Sequence, residues 1–121
     1  MSSRAATSQA QPPDVDIAKL RADLHLSREK LARVFDVSAK TIERWEARHT
    51  LPSTAANRRL VSELREILDL GTVVYGKEGL RQFLLLPLPG NEGTTPLQLV
   101  ERGRAEEVLA VLASDYEGAG L

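Results

Sequence analysis

Cysteine is absent from the 121 residues, which excludes disulfide staples and thiolate metal centres. The two histidines, His25 and His49, are too far apart in the chain to build a metal cage by themselves. No glycine-rich phosphate loop is present, and nothing assembles a nucleophile with a base, so an enzyme is not expected and no cofactor is implied. Charge of one sign is not in excess: sixteen Lys and Arg against seventeen Asp and Glu leave a formal net charge of −1. Bulk attraction to nucleic acid or membrane is thereby excluded, and a polyanion partner has to meet a local patch. No apolar run approaches the ~18 residues that span a bilayer, and the first fourteen residues hold no apolar signal core. A soluble, unexported, cytoplasmic protein is expected.

What remains is helical. Apolar residues recur at helical spacing almost throughout, and β-branched clusters are scarce except at Thr72, Val73, Val74 and Tyr75. The fold class is therefore all-α. Residues 1–15, with Pro12 and Pro13 among Ser, Ala and Gln, read as a flexible arm. Asp16 caps a first helix with Ile17, Leu20 and Leu24 on one face, ending near His25. Ser27 caps a second, with Leu26 stapled onto Leu31, running to about Phe35. Ser38 repeats the arrangement, with Val37 against Ile42, so the third helix starts about three residues later and has to cross the second sharply. Asp36 sits at the turn, where it tolerates a left-handed backbone.

The chain breaks over residues 48–52, and Ser53 opens a long fourth helix through Leu60, Leu64, Ile67 and Leu68. It passes Gly71 at a cost of ~1 kcal/mol and stops at Gly76. A fifth helix, about Lys77 to Leu86, is ended by Pro87. Thr95, Pro96 and Gln98 form a capping box that starts a sixth, closed by Gly103. The seventh runs from about Arg104 to Tyr116, with Glu117 to Leu121 too glycine-rich to stay helical. This divides the chain into an arm (1–15), a helix-turn-helix region (16–53), a connecting helix (54–76) and a small helical unit (77–121). Charge follows the division: residues 14–60 carry ten basic and seven acidic side chains, whereas 61–121 carry five and ten. Two halves of opposite sign suit two different partners.

The segment from Leu26 to Glu46 is the strongest signal. Two capped helices joined by a tight turn let the second lie in a DNA major groove. Ala39, Lys40, Thr41 and Arg44 are placed to project away from Val37, Ile42 and Trp45 toward bases and phosphates, and Arg28 to grip a phosphate. Trp45 reads as a core anchor on the first and fourth helices. Because one recognition helix makes too few contacts for tight binding, a homodimer on a palindromic operator is expected.

Residues 17–53 resemble the Xre (Cro/repressor-like) helix-turn-helix family. The pattern is carried by Ser27, Leu31-Ala32, Val37-Ser38, Trp45-Glu46 and Pro52-Ser53. The resemblance places Lys40, Thr41 and Arg44 at base-reading positions and Arg28 near the backbone. Arg48 stands where the family commonly has Gly, so an arginine there either takes a left-handed backbone or changes the exit path, and it gains a phosphate contact. The back half resembles the toxin-binding domain of the Xre/MbcA/ParS antitoxins. There the similarity lies in Phe83-Leu84, Pro87, the loop from Gly90 to Gly93, Thr95-Pro96-Leu97, Leu99, Arg102-Gly103, Val108-Leu109, Leu112 and Gly118. Phe83 replaces a frequent Trp. Together the resemblances imply an antitoxin that neutralises a RES-type, NAD-consuming toxin and represses its own operon. Under that reading the acidic tail of Tyr116, Glu117, Gly118, Ala119, Gly120 and Leu121 plugs a cationic active site. The rival reading is a stand-alone helix-turn-helix repressor whose back half binds a ligand or partner.

Overall fold

The computed structural model describes residues 16–118. The arm at residues 1–15 and the tail residues Ala119, Gly120 and Leu121 lie outside the described residues. Six helices follow one another: α1 (Ile17–Leu24), α2 (Arg28–Phe35), α3 (Ala39–Arg48), α4 (Ala55–Leu85), α5 (Pro96–Glu101) and α6 (Ala105–Gly118). The all-α class read from the periodicity is the one observed.

Helix starts are set by short polar side chains. Asp16, Ser27, Ser38 and Thr95 each accept a hydrogen bond from the backbone N–H three residues on, at 3.1 Å. Such a cap satisfies one of the four orphan amides of a first turn. Gln98 completes the capping box by accepting from the Thr95 amide at 2.9 Å. At the fourth helix the cap is Thr54, bonded to Asn57, rather than the expected Ser53. The Ser53 carbonyl instead accepts from Arg58 at 2.8 Å.

The first three helices end on left-handed residues, His25 (φ 58°), Asp36 (φ 57°) and His49 (φ 53°). Asp36 fulfils the expectation for the turn. Arg48 does not take the left-handed position: α3 runs one residue further than the family pattern implies, Arg48 stays helical and His49 becomes the cap. The left-handed position falls on the next residue instead.

The long α4 passes through Gly71 and breaks at Gly76 (φ 78°, ψ 172°), a backbone region open essentially to glycine. The two parts fold back closely. A Cβ on Gly71 would lie 2.4 Å from Leu80 Cδ1, and one on Gly79 would lie 2.8 Å from the Tyr75 Cβ. Gly71, Gly76 and Gly79 together therefore make a corner in which each small residue admits a neighbour or a turn. Leu86 is extended and ends α4. The last helix extends beyond Tyr116 through Glu117 and Gly118, contrary to the expectation that glycine would stop it.

One hydrophobic core runs through both halves. It joins Ile17, Leu31, Phe35 and Ile42 of the first three helices to Leu64, Leu80, Leu99 and Leu112 behind them. α1 packs on α3 and α4, α6 lies along α4, and α5 touches α2, α4 and α6. The helix-turn-helix is thus braced from behind by the later helices. Among the described residues, no helix is long and apolar enough to cross a membrane.

Candidate nucleic-acid and partner interfaces

The α2–turn–α3 unit is fixed from its buried side. Ile42 is fully enclosed, and Trp45 is half-buried with its ring edge-on to Phe35 at 5.5 Å and 86°. Trp45 is therefore packed against the core, and the aromatic ring it meets, Phe35, belongs to α2. Edge-to-face contact of this kind adds to the burial of both rings.

One turn on from Ile42, Glu46 also points inward and is only 8% exposed. Its carboxylate accepts from Arg21 Nε at 2.5 Å and Nη2 at 3.2 Å. It also accepts from Arg28 Nε at 3.1 Å and Nη2 at 2.9 Å. Arg21 donates as well to the Leu26 carbonyl at 3.2 Å. The carboxylate thus pins α3 to α1 and to the start of α2. Burial opposes its charged form, but the hydrogen bonds and charges of Arg21 and Arg28 prevail and hold the carboxyl below the usual glutamate range. The same hydrogen bond raises Arg28, which stays a cation. Arg28 is consequently not the free phosphate grip that the sequence suggests: two of its nitrogens are committed to Glu46, although 44% of the side chain remains exposed.

The outer face of α3 divides the predicted readers. Lys40, Arg44 and Arg48, spaced at i, i+4 and i+8, lie in one exposed row with no ion pair among the described residues. Thr41 is half-buried and its hydroxyl is 3.0 Å from that of Ser38, so it serves the helix cap in this structure. Ala39 does not project outward: it packs against the core. Ser38, Lys40, Arg44 and Arg48 leave a convex, cationic ridge that a groove could accept.

The back half presents a different surface. Where α4 turns at Gly76, Tyr75 stacks on Phe83 with ring centroids 5.2 Å apart, and its hydroxyl donates to the Asp115 carboxylate on α6. Partial burial, and then that carboxylate, push the Tyr75 hydroxyl up to about 12. The pair floors an open cleft of about 640 Å³ whose walls include Leu86, Pro87, Leu88 and Val111. Sequence reasoning placed the toxin-facing residues in the tail and passed over this cleft. Of the tail, Tyr116, Glu117 and Gly118 are exposed on the last turn of α6. Periodicity did assign Phe83 to the helix, but the approach of Tyr75 depends on the corner.

No protein-family model matches the sequence. The chain is 27% identical over 95 residues to the mycobacterial cidal antitoxin MbcA of Mycobacterium bovis and of Mycobacterium tuberculosis, covering 78% of this chain and 83% of MbcA. Its fold matches a chain in the crystal structure of the M. tuberculosis MbcT-MbcA toxin-antitoxin complex, with a TM-score of 0.69 at 24% identity. That match covers 84% of this chain and 91% of the other. The chain is thus homologous to the antitoxin MbcA, and its all-α fold is one found in that complex.

Proposed function

We propose that the chain is the antitoxin of a type II toxin-antitoxin system, a binding protein rather than an enzyme. It neutralises a cognate toxin of the RES type, which consumes NAD, and it represses its own operon. The observation that carries the reading is the similarity to MbcA, which at 95 residues is too long to lie in either half alone.

The physical division of labour follows from charge and shape. The row of Lys40, Arg44 and Arg48 faces operator DNA from a helix that Glu46 and Trp45 hold rigidly, so little ordering is left to be done on binding. Two such helices are needed for tight binding, which makes the DNA-bound form a homodimer on a palindromic site. The acidic back half meets the toxin. A cleft built for an anionic dinucleotide carries cationic side chains, and the acidic tail of Tyr116, Glu117, Gly118, Ala119, Gly120 and Leu121 is suited to occupy it.

The test is purification of the tagged chain from its native cells. The expected result is one near-stoichiometric companion that arrests growth when expressed alone and is relieved by this chain, with a chain lacking residues 118–121 failing to relieve it. If the chain emerges alone yet shifts its own upstream DNA, it is a stand-alone repressor. If the truncated chain relieves arrest fully, the tail is not the plug.

A further inference from the structure

Three features converge on the cleft between the end of α4 and α6. Its floor and walls are largely apolar and open: Leu86 is 59% exposed and Tyr75 39%. Isolated apolar residues on a surface need no explanation, but a contiguous, concave group of them marks a place where something docks.

The electrostatics of the same place are unbalanced. α1, α2 and α3 each carry a basic residue in the last turn, Arg21, Arg33 and Arg48, which complements the negative end of the helix dipole. α4, α5 and α6 carry none, and of these α4 and α6 run along the cleft. The final turn of α6 instead holds Asp115 and Glu117, negative charges at the negative end of a helix. Asp115 is also the one charged side chain among the described residues that line the cleft. Two helices that end without a cation, a carboxylate and an acidic neighbour thus converge on a largely apolar cleft with no cation of the chain's own among the described residues that line it.

From this combination we infer that the cleft docks an apolar segment of the cognate toxin that carries a lysine or arginine, the apolar side chains seating on Tyr75, Phe83 and Leu86 and the cation reaching Asp115. The inference rests on the antitoxin reading. It places a second contact away from the tail, on the rigid part of the domain, and gives the toxin a docking surface that orients the tail toward its target. Two linked contacts raise the local concentration of the second once the first has formed.

The experiment measures the affinity of the full chain for the toxin whose growth arrest it relieves, by calorimetry at low and moderate salt. Leu86→Asp and Leu86→Lys are compared with wild type, since Leu86 is exposed and either change is tolerated by the fold. Asp115→Asn keeps an acceptor for Tyr75 while removing the charge. Leu86→Lys is expected to weaken binding about 30-fold or more and Leu86→Asp about 10-fold, the cation being worse because it meets the toxin's own. Asp115→Asn should lose about fivefold at low salt and flatten the salt dependence.

Equal affinity within twofold for all three variants overturns the inference while the antitoxin reading stands. So does the reverse order, with Leu86→Lys binding more tightly than Leu86→Asp. If Leu86→Asp converts a dimer to a monomer in ultracentrifugation without changing toxin affinity, the occupant is a second copy and the inference falls. A wild-type chain that relieves no toxin removes the antitoxin reading and the inference with it.

Discussion

Replacing Glu46 with glutamine tests the feature that holds the candidate recognition helix in place. The carboxylate is 8% exposed and accepts four charge-assisted hydrogen bonds from Arg21 and Arg28. An amide of the same shape with its oxygen at the Oε1 position keeps three of the four bonds, now to a neutral acceptor, but turns its NH₂ group toward Arg21 Nε, so that bond is lost and the contact becomes repulsive. Breaking a buried ion pair from one side costs about 3–5 kcal/mol. Both arginines reach solvent here and regain hydration, so the expected loss is about 2–3 kcal/mol, equivalent to a melting temperature lower by roughly 10–20 °C for a domain of this size. Circular dichroism melts and urea titrations at neutral pH measure it. The pH dependence gives a second check. Because the folded carboxyl titrates below its ordinary range, its stabilisation is complete above the glutamate pKa of ~4.3 and fades as pH falls through the lowered value. The gap between wild type and Glu46→Gln should therefore be constant from neutral pH to about 5 and shrink below about 4. A gap under about 0.5 kcal/mol at neutral pH, or one that persists unchanged into acid, would refute this account.

Gly76→Ala should cost about 1–3 kcal/mol in a thermal melt, as pure backbone strain, because nothing lies within 4 Å of the added methyl; a neutral result would mean that the corner relaxes. Gly71→Ala meets Leu80 instead, so about 1–3 kcal/mol of overpacking is set against ~1 kcal/mol of helix propensity, and the net loss should be smaller than at Gly76. In operator-binding assays Arg44→Ala should lose sequence discrimination as well as affinity, whereas Arg28→Ala, whose guanidinium is held by Glu46, should register mainly as a lower melting temperature. Equal losses on both DNAs for Arg44→Ala would contradict its assignment as a base reader.

Helix starts were legible because the physics that sets them is local. An Asp, Ser or Thr before an apolar-periodic run caps the amide three residues on, and Asp16, Ser27, Ser38 and Thr95 all do so. Ser53 and Thr54 differ because two hydroxyls stand side by side and either could serve. The packing of buried Pro52 and the hold of Arg58 on the Ser53 carbonyl accompany the choice. Helix ends were harder. Glycine costs a helix ~1 kcal/mol without terminating it, so α6 continues through Gly118, and the stops are set instead by a left-handed residue such as His49, a Gly-only bend such as Gly76, or an extended residue such as Leu86 ahead of Pro87.

The binding face was legible in part, and the reason lies in how arginine reads in one dimension. Arg28 and Arg44 look alike in the sequence, each at the outer side of a short helix in a basic segment. What separates them is a carboxylate eighteen residues from the first, and no local pattern says which cation a carboxylate will take. A signal was nevertheless present at the other end of the pair. Glu46 falls four residues after Ile42, on the apolar face of α3, and a carboxylate placed there is too costly to bury alone. It has to draw cations from the helices that pack over it, which are α1 and α2, and the arginines at their facing positions are Arg21 and Arg28. Asking first which acidic residues sit on buried faces, and then which cations they consume, would have left Lys40, Arg44 and Arg48 as the residues free to meet DNA. The same order of questions applies to the back half. There α4 and α6, two of the three later helices that end without a cation, border the apolar cleft, and the charge left unbalanced there is what the proposed toxin segment would meet.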